Sequence, residues 1–506
     1  LHSDNIKSVE VITNPGARYA ASTKAVIRIT TKKIQGEGFG FEASTTGEYD
    51  ENKNFGGFGQ LNMNYRKNGL ELGAYAFGAR QYQPDNKDLQ QKTYLDKTWN
   101  QKSEIRQVGI IEAMNFRLDA SYQLDANNSI GANFGFLRNP KQTWNGDMSS
   151  LILQDGDLSE SSDSHADFFW QKNNLSSNIY YVGKIGKLGI DFNTDWLWSK
   201  EYQNDVTKEQ YQEVGMNAQS QTAHSLTNKD YHLLASKLVL SYPIAKGQLE
   251  LGSEVSHTHS SGEYSNAEGI VADASTDMKE NNWSGFLAFS YPLGSFSMDA
   301  GLRYEYVSAK YYSFGKYEEE PSRNYSNWFP NLTLSWNKEP WAASLAYTCK
   351  TKRPSYSSLR NEVQYDNRYM YEGGDPYLRP TIAHDVSLDV MCNWISFGVE
   401  YLYEDNPIIW YVTLYNHQDI AFLRNVNFSS KQTMTAYVIA APKFDWYQPT
   451  WQVFFQKPFF DAEKYGAPRG LSKPALGITW NNQFKLSSTW TSWVTLHANT
   501  TSYNAF

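Results

Sequence analysis

The sequence has no run of 18 apolar residues among its 506 positions, and it therefore predicts no membrane-spanning helix. Its two cysteines, Cys349 and Cys392, are too few for a disulfide framework. A formal net charge of −8 gives no sign of a nucleic-acid partner. The sequence also lacks Gly-x-Ser-x-Gly, His-Glu-x-x-His and a glycine-rich phosphate loop, so we expect no catalytic site, no metal site and no cofactor.

Aromatic residues, in contrast, are abundant. They make up 15% of the chain, although hydrophobic residues of all kinds reach only 40%. A soluble protein rarely combines these two features. A β-barrel with a wet lumen and a lipid-facing outer wall combines them readily.

Strict alternation of apolar and polar residues over long stretches is the main signal. In one stretch an apolar face carries Phe296, Met298, Ala300, Leu302 and Tyr304, and a polar face carries Ser297, Asp299, Arg303 and Glu305. The stretches around Phe55, Phe116, Trp328 and Leu476 repeat this period of two. The apolar faces almost never carry Lys or Arg, which cost about 2–4 kcal/mol at mid-membrane. Many stretches exceed ten residues, as a tilted membrane strand of about 9–11 residues requires.

The connections between these stretches alternate between short and long. Short turns are predicted at residues 67–69, 125–128, 183–189, 245–247, 293–295 and 337–340, and near Asn393, Trp446 and Ser488. Long polar loops are predicted at about 84–106, 141–168, 203–226, 262–280, 312–325, 353–380, 416–430 and 459–473. Short turns on one side and long loops on the other are typical of outer-membrane barrels.

The predicted fold class is therefore all-β, a large antiparallel transmembrane β-barrel. About 19 strands are predicted, from Gly36 to near Tyr503. Bacterial barrels have even strand numbers, and large outer-membrane transporters have 22. We therefore expect a 22-stranded barrel whose last strands lie beyond this sequence.

Residues 1–34 do not fit the hairpin pattern. Residues 6–12 alternate briefly, Asn14-Pro15-Gly16 interrupts them, and residues 25–30 form a second short strand before Thr31-Lys32-Lys33. This stretch resembles the end of the plug of TonB-dependent outer-membrane receptors. The loop from Arg353-Pro354-Ser355-Tyr356 to the segment 371–380, Tyr-Glu-Gly-Gly-Asp-Pro-Tyr-Leu-Arg-Pro, is similar to a loop of the outer-membrane β-barrel family common in Bacteroidetes. Arg28 departs from the receptors, which more often have Asn there.

The resemblance implies two domains, the C-terminal part of a plug (residues 1–34) and a transmembrane barrel (35–506). It implies a TonB-dependent receptor in the outer membrane of a Gram-negative bacterium, importing a scarce or bulky substrate. The implied partners are the TonB complex, through an N-terminal segment missing from this sequence, outer-membrane lipid, a surface lipoprotein and an unknown extracellular substrate. A non-transporting structural or adaptor barrel is the second hypothesis. An outer-membrane enzyme is a weaker third, since catalytic motifs are missing.

Two groups of residues are candidate sites. Tyrosine and arginine are common on binding surfaces, and the loop 353–380 supplies the substrate-binding candidates Tyr365, Tyr369, Tyr371, Asp375, Tyr377 and Arg379. The alternative is that Gly373-Gly374 and the prolines form a structural turn on which the tyrosines pack.

Candidates for contacts between plug and barrel are Glu10, Arg18 and Arg28, with lumen residues such as Arg66, Asp119 or Glu305 as partners. The alternative is that these charges are simply solvated in a wet channel. Finally, His257 and His259 lie two apart on one strand face and raise the question of a metal, although a zinc site needs three or four ligands.

Overall fold

The computed structural model describes residues 6–12, 15–31, 36–50, 53–94, 97–416, 420–460 and 472–500. Within these ranges no helix is long and apolar enough to cross a membrane. The described residues form 25 strands: β1 (Ile6–Ile12), β2 (Val26–Thr31), β3 (Gly38–Tyr49), β4 (Phe55–Lys67), β5 (Leu70–Tyr94), β6 (Thr98–Gln123), β7 (Ser129–Gln154), β8 (Asp157–Ile185), β9 (Leu188–Glu213), β10 (Gln219–Ile244), β11 (Gly247–Asn266), β12 (Ala274–Leu293), β13 (Phe296–Ser313), β14 (Lys316–Lys338), β15 (Trp341–Lys352), β16 (Val363–Asn367), β17 (Met370–Gly373), β18 (Thr381–Cys392), β19 (Ile395–Asp405), β20 (Ile408–Leu414), β21 (Ala421–Asn427), β22 (Ser430–Ala440), β23 (Tyr447–Phe459), β24 (Ala475–Lys485) and β25 (Thr491–Asn499).

Nineteen of these strands form the barrel sheet, in which each strand pairs antiparallel with the next barrel strand along the chain. They are β3 to β15, β18, β19 and β22 to β25. The predicted fold class and the strand count are therefore confirmed. The final strand is Thr491–Asn499, and Tyr503 lies outside the described residues. The total of 22 strands stays a prediction.

The alternation of the sequence places one side of each strand outward and the other toward the lumen. On β13, Phe296 and Leu302 are exposed on the outer wall, whereas Arg303 and Glu305 are almost completely buried. The outward apolar residues form a belt around the barrel, which we call the apolar band. Aromatic pairs lie at its lower and upper borders. Phe296 and Trp336 are 6.3 Å apart near the short turns, measured between ring centroids, and Tyr304 and Trp328 are 4.8 Å apart at the upper border. Such aromatic girdles mark the two membrane interfaces of a barrel.

Strand length divides the barrel into two parts. Strands β5 to β14 have 18 to 29 residues, whereas β3, β4, β15, β18, β19 and β22 to β25 have 9 to 13. We call β5 to β14 the tall wall and the second group the short wall. A strand of about 25 residues is roughly 80 Å long, more than twice the length of the about 9–11 residues that the membrane needs.

The tall wall corrects part of the sequence prediction. The predicted loops at 84–106, 141–168, 203–226, 262–280 and 312–325 are mainly continuations of paired strands. Above the membrane both faces of a strand meet water, so the apolar alternation disappears while backbone pairing continues. Of the other predicted loops, 353–380 contains β16 and β17, 416–430 contains β21, and most of 459–473 lies outside the described residues.

The strands β16, β17, β21 and β20 form a separate sheet, which we call the loop sheet. The pairing of β17 with β21 is parallel and the other two pairings are antiparallel. Strands β16 and β17 lie in the connection between β15 and β18, and β20 and β21 lie in the connection between β19 and β22. The short wall thus supplies the loop sheet.

The strands β1 and β2 form a two-stranded antiparallel hairpin, as the sequence predicts. Asn14, Lys32 and Lys33, which support the plug resemblance, lie outside the described residues. We call residues 15–25 the linker. Ala17 of the linker packs against Val239 and Phe286 of the barrel wall.

The β14–β15 ladder is incomplete. It runs from Lys338 paired with Trp341 up to Asn331 paired with Thr348, and β14 continues upward paired with β13 alone. Where the two strands part, the backbone N–H of Thr351 donates to the carbonyl oxygen of Ala21 at 3.0 Å. The linker therefore makes a backbone contact with the barrel at this opening.

Candidate functional site

The loop sheet packs against the upper end of the tall wall. Its buried residues Tyr371 and Phe422 form one apolar cluster with Tyr264, Val271 and Ala274, which belong to β11, β12 and their connection. Tyr371 is only 6% exposed. The sheet is therefore anchored by a small core of its own, in addition to its polar contacts.

Polar contacts attach the tip of the loop 353–380 to the tall wall. The Tyr365 hydroxyl donates to Glu209 at 2.7 Å, and the Arg368 guanidinium donates to Glu160 at 2.9 Å. The same guanidinium lies 3.4 Å above the ring of Tyr211. Glu160 is 1% exposed, so Arg368 is the cation that accompanies a buried carboxylate.

The base of the same loop is attached on another side of the barrel. Arg353 pairs with Glu305 of β13, and the Tyr356 hydroxyl donates to Glu280 of β12 at 3.1 Å. Arg323 of β14 donates to backbone carbonyl oxygens of the loop segment 376–378. Wall side chains therefore hold the base of this loop, where it has no strand pairing.

The two attachments show that the loop crosses the barrel mouth. It leaves β15, and its tip reaches β8 and β9 at Glu160 and Glu209. The Tyr369 ring also lies 6.1 Å from that of Trp99 at the upper end of β6, nine strands from β15 in a sheet of nineteen. The loop sheet therefore covers the upper opening of the lumen.

Carboxyl groups in the loop sheet and on the adjoining tall wall have shifted pKa values. Burial raises the pKa of Asp366 to about 8, with the nearby Glu372 adding to the effect. One carboxylate oxygen of Asp366 is buried and makes no hydrogen bond. Burial also raises the pKa of Glu160, against the opposing influence of Arg368. Burial likewise raises the pKa of the Tyr365 hydroxyl, which stays a donor to Glu209.

The six predicted substrate-binding residues fall into two groups. Tyr365, Tyr369 and Tyr371 come together in the loop sheet, and the first two face the tall wall. Asp375 accepts from the backbone N–H of Tyr377 and lies 3.8 Å from Arg424. Tyr377 is 57% exposed. Arg379 is exposed too, and its backbone bonds to Asn427.

The three residues predicted to join plug and barrel also differ in their positions. Arg18 donates to Asp191 at 2.6 Å and to Glu250 at 3.0 Å, both on the wall. Glu10 and Arg28 pair with each other across the β1–β2 hairpin at 3.1 Å.

The lumen residues predicted as partners for these charges make hydrogen bonds or ion pairs of their own. Glu305 accepts from the backbone N–H of Ala21 at 3.3 Å. Arg66 and Asp119 pair within the wall, with Glu71 and Arg117 respectively.

Glu160, Glu209 and Trp99 were not singled out from the sequence. They belong to stretches that read as polar loops, where no alternation assigns a lumen face. Their one signal is a position close to a hairpin tip. His257 and His259 lie on the outer face, where they contact Asn281 and Asp277. Among the residues that the structure describes, no group of three or more His, Cys, Asp or Glu side chains is placed to hold a metal ion.

Comparisons with known proteins agree with this architecture. A family model described as "Outer membrane protein beta-barrel family" matches residues 183–506, more than half of the chain. No curated protein sequence matches. Among solved structures, the copper transporter OprC has a TM-score of 0.62 at 9% identity, covering 96% of this chain and 72% of its own.

Two Pseudomonas aeruginosa proteins are similar as well. A point mutant of the ferric enterobactin receptor PfeA has a TM-score of 0.54 at 13% identity, covering 98% of this chain and 73% of its own. The siderophore receptor PirA has a TM-score of 0.52 at 11% identity, with 99% and 79% covered. Likeness at such low identity concerns the fold.

Proposed function

This chain belongs to the outer membrane protein beta-barrel family, and from that premise we propose that it is the transport barrel of a TonB-dependent receptor. It lies in the outer membrane as a multi-pass barrel. In the proposed role it imports a scarce or bulky substrate, and an inner-membrane TonB complex acts on a plug whose last part is residues 1–34.

The observation that carries the proposal is the attachment of the linker to the lumen wall. Arg18 reaches two wall carboxylates, and Ala21 bonds through its backbone to Glu305 and Thr351. A passive pore does not require a chain segment bound to its lumen wall. Partly exposed ion pairs such as those of Arg18 are each worth about 0–1 kcal/mol. Contacts of this strength suit a plug that is held in place but has to move.

The loop sheet is the proposed site of substrate capture. It covers the opening above the linker, and the loop 353–380 presents Tyr369, Tyr377 and Arg379 at or near its surface. Tyr371 has a packing role in this scheme, because it is buried in the loop-sheet cluster. The named functions of the similar structures make ferric siderophores and copper complexes the first substrates to test.

The test is an uptake screen in a strain that lacks the complete gene. Complementation with the full-length protein is expected to restore growth on a limiting substrate only when TonB is present. Tyr369→Ala and Tyr377→Ala are expected to reduce uptake while surface expression persists. Restored growth without TonB would overturn the TonB-dependent role.

The non-transporting alternative is separated by the same screen. An adaptor barrel would show no uptake phenotype on any substrate, yet its deletion would release partner proteins from the membrane. Cross-linking of the full-length protein to TonB in cells provides a second, independent readout. Efficient cross-linking is expected for the receptor and none for the adaptor.

A further inference from the structure

Four basic side chains form a row on the outer face of the tall wall. They are the cross-strand neighbours His232 of β10, His259 of β11, Lys279 of β12 and Lys310 of β13. The two imidazole rings are 6.3 Å apart, measured between centroids. Because directly paired residues of adjacent strands lie about 5 Å apart on one face, these four groups make a continuous strip. We call it the basic row.

The basic row lies directly above the apolar band. On the four strands, the last outward apolar residues below it are Leu234, Val255, Trp283 and Tyr306, all substantially exposed. The row begins two residues above Leu234 and four above the other three. Four residues correspond to about 13 Å along a strand and to less along the membrane normal, since the strands tilt. This places the four side chains at the level of the lipid headgroups.

Two acidic side chains accompany the row and engage mainly the histidines. His232 lies 2.8 Å from Asp230, and His259 lies 2.6 Å from Asp277. Lys279 is 3.8 Å from Asp277, with its ammonium 5.5 Å from the centre of the Tyr312 ring. Among the ion pairs of the described residues, none includes Lys310, which is exposed. The two lysines therefore keep most of their charge available.

An open depression adjoins the row on its upper side. It has a volume of about 620 Å³, and its lining includes Lys200 and Lys279 together with the carboxylates of Asp230, Glu263 and Asp277. Lys200 of β9 is the cross-strand neighbour of Asp230 of β10, which lies two residues above His232. A third lysine thus borders the space next to the row.

The neighbouring sector of the tall wall shows a contrasting arrangement. On β6 to β8 the outward residues Arg106, Asp147 and His165 are cross-strand neighbours, and they lie farther from the short turns than the basic row does. Arg106 also contacts Asp88 and Glu104, and His165 contacts Asp167. Carboxylates therefore neutralise the cations there. In the basic row, by contrast, the four cross-strand neighbours are all basic.

We propose that the basic row binds the phosphate groups of the phosphorylated glycolipid in the outer leaflet. Lysine ammonium groups bind phosphate as point charges, and each basic residue near an anionic membrane surface strengthens the attraction. The apolar band beneath receives the acyl chains of the same lipid. The occupant is a lipid because the cations lie above a lipid-facing surface and because the depression opens outward.

The experiment measures lipid retained by the purified full-length protein in native mass spectrometry. The variant is Lys279→Gln with Lys310→Gln, and the matched control is Lys208→Gln, which removes one exposed outward lysine of β9 outside the row. The probes are the bis-phosphorylated glycolipid, its dephosphorylated form, phosphatidylglycerol and inorganic phosphate. Glycolipid retention is expected to fall roughly tenfold in the double variant and to stay unchanged in the control.

Each other result overturns the proposal. Equal retention by variant and control would show that the row is not involved. Equal retention of the dephosphorylated lipid would remove the role of phosphate. Displacement by phosphatidylglycerol would indicate a general anionic surface, and displacement by inorganic phosphate a free-ion site. Heat-modifiable migration of each variant verifies folding, and the single variants replace the double variant if it fails to fold.

Discussion

The tall wall and the short wall differ in how their strands are connected at the extracellular surface. Strands β5 to β14 continue far above the apolar band as paired hairpins, with tips at residues such as 155–156 and 314–315. The short wall ends its strands early and sends two long connections out as the loop sheet. The tall wall then receives the loop sheet on its lumen side through Glu160, Glu209 and Tyr264.

The difference between the two walls shows which interactions replace backbone pairing. A hairpin that keeps its ladder satisfies most backbone groups regardless of its side chains. The connection 353–380 has few such pairings, and it depends on named side chains at both ends: Arg353 and Tyr356 at the base, and Tyr365 and Arg368 at the tip. Single substitutions should therefore disturb the short wall's connections far more than the tall hairpins.

The largest effect is expected for Glu305→Ala. The Glu305 carboxylate joins the linker, the wall and the loop base, through Ala21, Arg303 and Arg353. Its removal leaves the buried Arg303 with Glu254 as its remaining carboxylate and leaves Arg353 without its ion pair, which together cost about 3–5 kcal/mol of unfolding free energy. Denaturant unfolding of the purified protein, followed by tryptophan fluorescence, measures the loss.

The control for this substitution is Glu319→Ala, an exposed position on the neighbouring strand β14. It is expected to change the unfolding free energy by less than about 0.5 kcal/mol. Similar losses of unfolding free energy in the two variants would contradict the role of Glu305 in joining the linker, the wall and the loop base.

A smaller and more local effect is expected for Arg368→Ala. The substitution leaves the buried Glu160 without its cation, a penalty of about 1–3 kcal/mol that falls on the docking of the loop sheet. Hydrogen exchange should speed up in β16, β17 and β21 and stay slow in the ladders of β8 and β9. Arg379→Ala is the matched control, and exchange at its wild-type rate is expected there. Adding Glu160→Gln to Arg368→Ala should recover part of the protection.

The pH dependence of the same docking follows from Asp366. Burial raises its pKa to about 8, so the docked state binds one proton more than the undocked state between about pH 4 and pH 8. Docking is therefore strongest below about pH 4 and weakens as the pH rises to about 8. Hydrogen exchange of β16, corrected for its intrinsic rate, should show less protection at pH 8 than at pH 6.

The Asp366→Asn variant should lose most of this pH dependence and be better protected than the wild type at pH 8. An unaltered dependence in Asp366→Asn would assign the effect to another group. Glu160 is the first candidate, since its pKa is also raised by burial.

The smallest effect on stability is expected for Tyr377→Ala. The side chain is mostly exposed, and truncation should change the unfolding free energy by less than about 0.5 kcal/mol. In contrast, Tyr371→Ala empties part of the loop-sheet core and should destabilise the sheet by about 3 kcal/mol. Thermal unfolding compares the two. A large loss for Tyr377→Ala would mean that the exposed rim of the loop also has a structural role.

The barrel itself could be predicted from the sequence, because lipid on one side and water on the other force alternation on strands such as β13. The short turns could be predicted for a related reason, since they need particular residues such as Asn68 and Gly69, both of which have positive φ. The extended hairpins could not, since strands wetted on both faces carry no periodic signal.

The candidate site could be predicted only in part. The tyrosines of the loop 353–380 attracted attention by their composition. Their partners Glu160 and Glu209 lie about 150 to 210 positions earlier in the chain, and only the barrel's curvature brings them close. For Arg18 the lumen location followed from the plug resemblance, whereas its partners Asp191 and Glu250 required the strand register.

The N-terminal hairpin has a mechanical consequence. In β1 and β2, Ile6 pairs with Thr31 at one end and Ile12 with Val26 at the other, and the linker connects the second end. A tensile force on the chain before β1, with β2 fixed to the barrel, opens this hairpin one rung at a time from Ile6. The contacts of Arg18 and Ala21 come under load only after the last rung has opened. Extension of residues 6–17 then provides about 40 Å of chain before the contact of Arg18 is loaded, so the hairpin is an extensible tether ahead of the attachment to the wall.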